Sequence, residues 1–415
     1  DVGLGARDTA SIRSADMPTT SAPSPVTFRL IALVATLVSS VVPTAAAGRQ
    51  DDSGAIAERV ADAVCEARVV LLGELPSHGE ARAFQAKAEI VRRLVERCGF
   101  GALLFEAPMY DFVGLQEAIE RGAAEAGQLD RAIGRFWWTR ELGAWRGWLL
   151  REASANRLVL GGLDDQVSVT SEFARAALPG LVAAWSAPRD RSACEEAVAR
   201  HLYWRYDEAT PFDDREKTGL QRCVRAAATA AARAEGLRGT PRQAMLESFA
   251  GYVDRQRAPN AAPDRDEAMA RNARWHLDRL PRDARVIVWT ATVHAARTRG
   301  GLRHEPLGAR VAATMDGPVA AIGFTAYAGQ SSMAGQPSRA LPPAPPGALE
   351  ARSTAEDVPW AFLDASALHR IGPAPSRLLG SFTEADWSTY FDGGVVIREE
   401  VAPVFERGGR GVRCG

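Results

Sequence analysis

Short apolar runs alternate along the chain with longer segments in which apolar residues recur at helical spacing. The runs that we predict to be strands are residues 68–73, 101–105, 157–163, 285–291, 319–324 and 394–397. One helix is predicted over residues 51–66 and another over residues 83–97, where Phe84, Ile90 and Leu94 share one side. Strand, loop, helix and strand in this order form the βαβ unit of a parallel sheet. The pattern therefore predicts an α/β fold with a mainly parallel central sheet that is flanked by helices.

Two long stretches between these runs are predicted to be helical. Residues 111–156 are predicted to be helical and contain the tryptophans Trp137, Trp138, Trp145 and Trp148. The Ala-, Arg- and Glu-rich stretch at residues 166–280 is too long for a simple crossover, so we predict a helical insertion or cap. These helices are expected to form a lid, in which the tryptophans either bind a large apolar substrate or pack the helices together. Residues 329–347 are rich in Gly, Ser and Pro, which predicts a surface linker or flexible loop.

The first 47 residues have the composition of a secretory leader. Arg29 precedes an apolar run at residues 30–42, and small residues follow up to Gly48, which is typical of a signal peptide with cleavage after Ala47. The run is shorter than the roughly 20 residues that span a bilayer, and the alternative is an N-terminal anchor or a buried helix. We therefore expect a periplasmic or secreted protein with no membrane span after cleavage. Residues 48–400 would form the folded domain and residues 401–415 a C-terminal tail.

Composition and charge narrow the class of protein. Of the 415 residues, 46% are apolar and 24% are charged, which is ordinary for a globular protein with a sizeable core. The formal net charge is -1, so the sequence carries no electrostatic footprint for nucleic acid. We expect a small molecule as the partner rather than nucleic acid, and the sequence does not fix an oligomeric state.

Five cysteines in an exported chain favour disulfide pairing. Cys65 and Cys98 each lie a few residues before a predicted strand. If those two strands are parallel neighbours, a bridge between their starts is geometrically possible. Cys194 and Cys223 would then form a second pair between helices, which leaves Cys414 over. The alternative is that all of them are free or buried thiols.

Ionisable side chains follow the predicted strands at the points where the strands end. Glu74 and His78 follow the first strand, and Glu106 follows the second. Asp164 and His294 follow the third and the fourth. The carboxyl ends of parallel strands meet at one edge of a sheet, and ligands in open α/β sheets bind in the crevice there. Distant parts of the chain are therefore expected to bring carboxylates and imidazoles into a single site.

An imidazole is suited to activate water at such a site. His78 is the natural general base, because histidine takes up and releases a proton near neutral pH. Glu74 or Glu106 could orient its ring and stabilise the cationic form, as the acid of a catalytic triad does, and His294 could act as electrophile or general acid. No Gly-x-Ser-x-Gly elbow follows a predicted strand, so direct attack by water is favoured over a serine nucleophile. The alternative for each side chain is a structural role, such as a helix cap or half of an ion pair.

Several short motifs follow one another along residues 50–400. They are Gly73-Glu74 with His78-Gly79, residues 100–107, residues 138–141, residues 162–164, Arg265-Asp266 with Met269 and Asn272, residues 288–294, residues 322–324 and residues 387–392. In their order and spacing they resemble the erythromycin esterase family. The resemblance implies an α/β hydrolase that cleaves an ester by means of activated water, as members of the family do when they open a macrolide lactone ring.

The resemblance also implies roles for individual residues. It places the essential histidine at His78 and the glutamates at Glu74 and Glu106. It places the last histidine of the fourth-strand motif at His294 and a basic residue of the first helix at Lys87. Three further residues lie in or beside matching segments, and we expect them to bind substrate or to support the site: Glu141, Asp164 and Trp289.

The chain departs from the family pattern near these residues. The segment between Glu74 and His78 is one residue longer than usual, and Arg82 stands where the first helix usually carries an acid. Ala291 and Thr292 stand where the fourth-strand motif usually carries an additional histidine and an asparagine. Loss of a general acid–base typically costs a factor of about 10²–10⁴ in rate, which argues against macrolide cleavage.

Two alternatives to a cofactor-free hydrolase stay open. Two histidines and two glutamates are a plausible ligand set for a divalent metal, although no H-E-x-x-H spacing supports a metal-dependent hydrolase. The first-strand pattern, with Gln85 and Ile90 downstream of His78, is also similar to haem-uptake lipoproteins of a related fold. A haem- or ligand-binding protein without catalysis is therefore the second alternative, although no lipoprotein cysteine follows the leader.

Overall fold

The computed structural model describes residues 53–168, 171–209, 211–234, 239–257 and 264–406. The predicted signal peptide, residues 407–415 of the predicted tail, and Cys414 with them, lie outside the described residues. Among the residues that are described, no helix has both the length and the apolar composition needed to cross a membrane.

Helices and strands alternate through the first part of the chain, as expected for a parallel sheet. The strands are β1 (Val69–Glu74), β2 (Phe100–Pro108), β3 (Val159–Asp164), β4 (Arg285–Ala291), β5 (Val319–Ser331), β6 (Arg339–Leu341), β7 (Trp360–Asp364), β8 (Ala374–Ser376), β9 (Thr383–Ala385) and β10 (Gly393–Glu400). The helices are α1 (Ser53–Val64), α2 (Ala81–Cys98), α3 (Met109–Glu120), α4 (Ala126–Ile133), α5 (Gly143–Ser154), α6 (Glu172–Trp185), α7 (Arg191–Leu202), α8 (Asp214–Arg233), α9 (Pro241–Arg257), α10 (Arg265–Arg279), α11 (Thr292–Ala295), α12 (Leu307–Thr314), α13 (Leu349–Ser353) and α14 (Ala365–Ile371).

The main sheet has the strand order β3-β2-β4-β1-β5-β10-β7, with β6 paired to the end of β5. Strands β3, β2, β4, β1, β5 and β10 run parallel, whereas β7 is antiparallel to β10 and β6 is antiparallel to β5. The prediction of an α/β fold with a mainly parallel sheet is confirmed. The suggestion that β1 and β2 are neighbours is wrong, because β4 lies between them and pairs with both.

The sheet is covered on both faces, and successive residues of each strand point to opposite layers. Val70 and Leu72 of β1 face the layer that contains Phe84 of α2. Val69 and Leu71 face the opposite layer, with α10 and α12. All four strand residues are fully buried, which explains why the strands appear in the sequence as continuous apolar runs rather than as alternating patterns.

The predicted insertion at residues 166–280 divides into two parts. Helices α6, α7, α8 and α9 pack on one another and on α3 through their own apolar cluster, which includes Leu178, Val198 and Phe249. Helix α10 packs instead against the sheet, where Met269 and Ala273 join Val286 and Val288 of β4. Helices α6 to α9 therefore form a separate layer, the cap, to which α10 does not belong.

The prediction of a linker at residues 329–347 is wrong in part. β5 continues to Ser331, and β6 returns beside it to form a hairpin. The backbone N–H of Ser332 donates to the carbonyl of Gly79 at 3.0 Å, and that of Ala344 donates to the carbonyl of Tyr327 at 2.8 Å. Gly, Ser and Pro here build the turn of a short hairpin, and the paired strands on either side hold it in place.

Both predicted disulfides are confirmed: Cys65 pairs with Cys98, and Cys194 in α7 pairs with Cys223 in α8. The first bridge forms across the start of β4, although β1 and β2 are not neighbours. The guanidinium of Arg285, the first residue of β4, donates to the carbonyls of Cys65 at 2.6 Å and Cys98 at 2.9 Å. The bridge therefore closes the amino edge of the sheet, opposite the predicted site.

Candidate active site

A cavity of about 520 Å³ opens at the carboxyl edge of the sheet. Polar groups on its floor are His78, Glu106, Asp164 and Arg265. Its walls come from Pro76, from the loop at residues 133–137 after α4, from residues 166–168 after β3, and from Met333 and Ala334 in the β5–β6 turn. The cavity therefore combines a charged floor with largely apolar walls, as small-molecule sites commonly do.

Glu74 is the last residue of β1 and is completely buried. Its Oε1 lies 2.8 Å from Nδ1 of His78 and accepts a hydrogen bond from the indole Nε1 of Trp137, also at 2.8 Å. The ring of Trp137 meets that of His78 edge-on, with centroids 5.3 Å apart. The carboxylate and the indole together fix the plane of the imidazole, and the Nδ1 contact leaves Nε2 as the nitrogen that can accept a proton.

His78 reaches this position through a left-handed backbone conformation with φ at 48°. Its N–H donates to the carbonyl of Leu75 at 3.0 Å, which closes a tight turn after β1. A non-glycine residue at positive φ is uncommon and costs free energy, so its presence beside a buried carboxylate and a cavity marks His78 as a candidate functional residue. The turn absorbs the additional residue between Glu74 and His78 and keeps the two side chains in contact.

Lys87 points inward from α2, is completely buried and forms an ion pair with Oε2 of Glu74. Its Nζ also donates to the carbonyl of Thr290 at 3.2 Å and lies 4.3 Å from the centre of the Trp289 ring. Burial lowers the pKa of Lys87 well below its usual value, against the opposing effect of the Glu106 charge. Removal of one partner of such a buried pair typically costs about 3–5 kcal/mol, so Lys87 supports the site as the counterion of Glu74.

Glu106 occupies the centre of the cluster, near the end of β2. Its Oε2 accepts hydrogen bonds from the hydroxyl of Thr290 and the N–H of Ala291, both at 2.8 Å. Its Oε1 lies 3.3 Å from Nε2 of His294 and 3.7 Å from Nε2 of His78. Burial favours the neutral acid, but the charges of His294, Arg265 and His78 outweigh it and hold the pKa of Glu106 well below its usual value. Glu106 is therefore a carboxylate between two imidazoles.

Arg265, the first residue of α10, bridges Glu106 near the end of β2 and Asp164 at the end of β3. Its Nη2 donates to Oε1 of Glu106 at 2.9 Å and to Oδ2 of Asp164 at 2.8 Å, and its Nε also donates to Asp164 at 3.1 Å. The side chain retains 30% of its exposure and lines the cavity. Arg265 therefore places a fixed positive charge on the cavity floor.

His294 lies behind this guanidinium and is absent from the lining of the cavity. Its Nδ1 is 2.7 Å from Oδ1 of Asp266, and its Nε2 is 3.1 Å from Nη1 of Arg265. Burial favours the neutral ring, but Glu106 and Asp266 raise the pKa of His294 to about 9. At neutral pH the imidazolium donates to both carboxylates, and when Nε2 loses its proton it can accept from Arg265 instead.

The structure brings Glu74, His78, Glu106 and His294 together, with Asp164 and Lys87 beside them. Trp289 is fully buried under Lys87, so it supports the site and does not reach a substrate. Glu141 is not brought to the cluster: its carboxylate accepts from the N–H of Val404, and it is absent from the cavity lining.

Sequence reasoning assigns no role to Trp137, Arg265 or Asp266. The only signal for Arg265 and Asp266 was their place in a motif of the family. Trp137 stood out only as one of several tryptophans in a segment that was predicted to be helical, whereas it lies in a turn.

Ala291 and Thr292 leave no imidazole or amide at the end of β4. The N–H of Ala291 binds Glu106, and the hydroxyl of Thr292 donates to the carbonyl of Leu378, away from the cluster. Thr292 also packs tightly on β1, since a Cβ on Gly73 would lie 2.7 Å from its Cα. Thr292 therefore has a structural role.

Across the residues that the structure describes, no group of three or more His, Cys, Asp or Glu side chains is arranged to hold a metal ion. The carboxylates of the cluster already face cations: Glu74 faces Lys87, while Glu106 and Asp164 face Arg265. A divalent ion would have to compete with these resident charges.

A parallel sheet whose carboxyl edge carries a buried histidine–carboxylate cluster beside a cavity has the layout of an α/β enzyme. Residues 95–398 match the sequence model of the erythromycin esterase family, and the chain belongs to that family. The family supports a hydrolase function. The matched range begins after β1 and does not include Glu74 or His78. The place of these two residues in the site therefore rests on their contacts in the structure.

Solved structures with the same fold cover most of the chain. A Bacillus cereus protein is 17% identical, with a TM-score of 0.65 over 85% of this chain and 94% of its own. A protein described as a succinoglycan biosynthesis protein is 15% identical, with a TM-score of 0.64 over 84% of this chain and 92% of its own. A mutant of the erythromycin esterase EreC, in its open conformation, is 16% identical, with a TM-score of 0.59 over 83% of this chain and 93% of its own. At these identities the similarity concerns the fold.

Proposed function

We propose that the chain hydrolyses a carboxylic ester or lactone with water that His78 activates. The observation that carries this proposal is the 2.8 Å contact between Glu74 and Nδ1 of His78, at the floor of a cavity that Arg265 also lines. Membership of the erythromycin esterase family supports the same class of reaction.

In the proposed reaction, Nε2 of His78 takes a proton from water while the water oxygen bonds to the acyl carbon. The resulting imidazolium keeps its Nδ1 proton and donates a hydrogen bond through it to Glu74, whose negative charge stabilises the cation. When the tetrahedral intermediate collapses, the bond to the alcohol oxygen breaks and Nε2 returns its proton to that oxygen. The products are a carboxylic acid and an alcohol, or one hydroxy acid when the substrate is a lactone.

Arg265 is proposed to stabilise the oxygen that becomes negative during this attack. It is the cation on the cavity floor, and Glu106 and Asp164 hold its guanidinium from two sides. A donor that is fixed in place before the reaction contributes more than one that must reorient. His294 supports this arrangement from behind Glu106 and Arg265 rather than by contact with the substrate.

The proposed substrate is a small or medium-sized ester or lactone with an apolar portion. Phe136 and Met333, which are 39% and 40% exposed, both line the cavity and present apolar surface there. Ala291 and Thr292 supply neither the histidine nor the asparagine that the family motif usually carries there. We therefore propose that macrolides are poor substrates.

We also propose that the protein works in the periplasm or outside the cell. The two disulfides support this proposal, because such bonds persist mainly in oxidising compartments.

The test is acid release from a panel of alkyl and aryl esters, lactones and macrolides, with and without a metal chelator. We expect turnover of small esters or lactones that the chelator does not change and that His78→Ala lowers by about 10²–10⁴. The matched control is His369→Ala, at an exposed position on α14. Turnover that the chelator abolishes would favour a metal-dependent hydrolase, and the absence of turnover across the panel would contradict the proposal.

A further inference from the structure

We infer that Glu80 is a positioning residue that holds His78 in its reactive conformation. This inference rests on the proposed function, since it concerns the base of that reaction. Glu80 lies two residues after His78, is 1% exposed and does not line the cavity. It therefore acts on His78 through the loop and makes no contact with substrate.

The carboxylate of Glu80 binds both neighbours of His78. Its Oε1 accepts from the hydroxyl of Ser77, and its Oε2 accepts from the N–H of Gly79 at 2.9 Å. These two bonds bracket the residue that has the left-handed backbone conformation. They hold the chain on either side of His78 and so oppose relaxation of its φ toward the ordinary negative range.

Glu80 is free to do this because another residue caps the helix. Glu80 is the N-cap of α2, where a carboxylate usually accepts from the N–H groups of the first turn, but its side chain makes no capping bond. Glu400, at the end of β10, takes that role instead. It accepts from the N–H of Arg82 at 2.7 Å and from that of Ala83 at 3.3 Å.

The β5–β6 hairpin fixes the loop at Gly79 as well. Ser332, beyond the end of β5, donates its N–H to the carbonyl of Gly79, and a Cβ on Gly79 would lie only 2.0 Å from the Ser332 carbonyl oxygen. The backbone at Gly79 therefore cannot shift toward the hairpin. If the Glu80 bonds are lost, the backbone adjusts at Ser77 and His78 instead. This adjustment rotates the imidazole away from Glu74.

The test is steady-state kinetics of Glu80→Ala, Glu80→Gln and Ser77→Ala, each corrected for the folded fraction. We expect Glu80→Ala to lower kcat by about 10- to 100-fold, with KM within about twofold, because misplacement of the base affects the reaction and not binding. Glu80→Gln retains one acceptor and should recover part of the loss, and Ser77→Ala should show a smaller loss. Glu89→Ala, on the outer side of α2, is the control and should match the wild type.

A purely structural role would lower the melting temperature and leave kcat per folded molecule unchanged, and that result would overturn the inference. If Glu80→Ala does not fold, unchanged kcat in both Glu80→Gln and Ser77→Ala would overturn it as well. His78→Ala separates the two proposals. If that variant loses activity while the Glu80 and Ser77 variants have normal kcat, only the positioning role fails; if it keeps the turnover of the wild type, the proposed function fails.

Discussion

His78 combines a strained backbone with a well-supported side chain. A non-glycine residue in the left-handed region typically costs about 1–3 kcal/mol. A hydrogen bond to a charged group, such as the contact between Nδ1 and Glu74, contributes about 1.5–3 kcal/mol. The cost of the backbone conformation and the gain from the hydrogen bond are of similar size, so the bonds that Glu80 accepts from Ser77 and Gly79 add to the stability of the observed loop.

Asp266→Asn tests the electrostatic account of His294. The two carboxylates beside His294 raise its pKa to about 9, so its ring binds a proton more tightly in the folded chain than in the unfolded chain. This contribution to stability is complete below the unfolded pKa of about 6.5 and is lost as the pH rises through about 9. We expect the substitution to lower the pKa of His294 from about 9, measured by NMR titration of the ring. An unchanged titration would contradict the role of Asp266.

At the residue scale, the sequence predicts site residues where ionisable side chains follow the ends of strands. Glu74, His78, Glu106 and His294 could be predicted because parallel strands end at one edge. Arg265 could not be predicted in the same way, because it begins a helix that follows the cap. No local pattern shows that this helix starts at the carboxyl edge of the sheet. Glu141 was assigned by its motif alone, and its contacts lie elsewhere.

At the scale of elements, the long strands could be predicted and their order could not. β1, β2, β3 and β4 are continuous apolar runs, and such runs carry no information about which neighbour each strand chooses. The short strands β6, β8 and β9 escaped prediction because three residues are too few to establish a periodicity. β7 was missed as well, although its burial alternates with a period of two.

The disulfide between Cys65 and Cys98 should stabilise the fold without affecting the reaction. It closes a loop with a sequence separation of 33, for which chain entropy predicts a contribution of about 3–4 kcal/mol. We expect the double variant Cys65→Ala, Cys98→Ala to lose that much free energy of unfolding in a denaturant titration. Its kcat at low temperature should stay within about twofold of the wild type, because the bridge lies at the opposite edge of the sheet from the site. A loss below about 1 kcal/mol would contradict this role.

At the scale of the whole molecule, the site depends on contacts between segments that are far apart in sequence. Asp165, after β3, binds the guanidinium of Arg255 in α9, and its backbone carbonyl accepts from the hydroxyl of Tyr110 in α3 at 2.7 Å. The ion pair with Arg255 joins the cap to the end of β3 beside the cavity, and the bond from Tyr110, which lies outside the cap, fixes the same backbone. The cap therefore helps to position residues 166–168, which form one wall of the cavity.

Glu74 and His78 are proposed to act as one unit, and a double-mutant cycle measures the coupling between them. Glu74→Gln is combined with Lys87→Met so that no uncompensated charge stays buried. With the best ester from the panel, His78→Ala should lower kcat/KM by about 10²–10⁴. The Glu74→Gln, Lys87→Met pair should lower it by less, and the triple variant should be no slower than His78→Ala alone, because Glu74 acts through His78. Losses that multiply in the triple variant, or a loss of less than about tenfold in His78→Ala, would contradict this coupling.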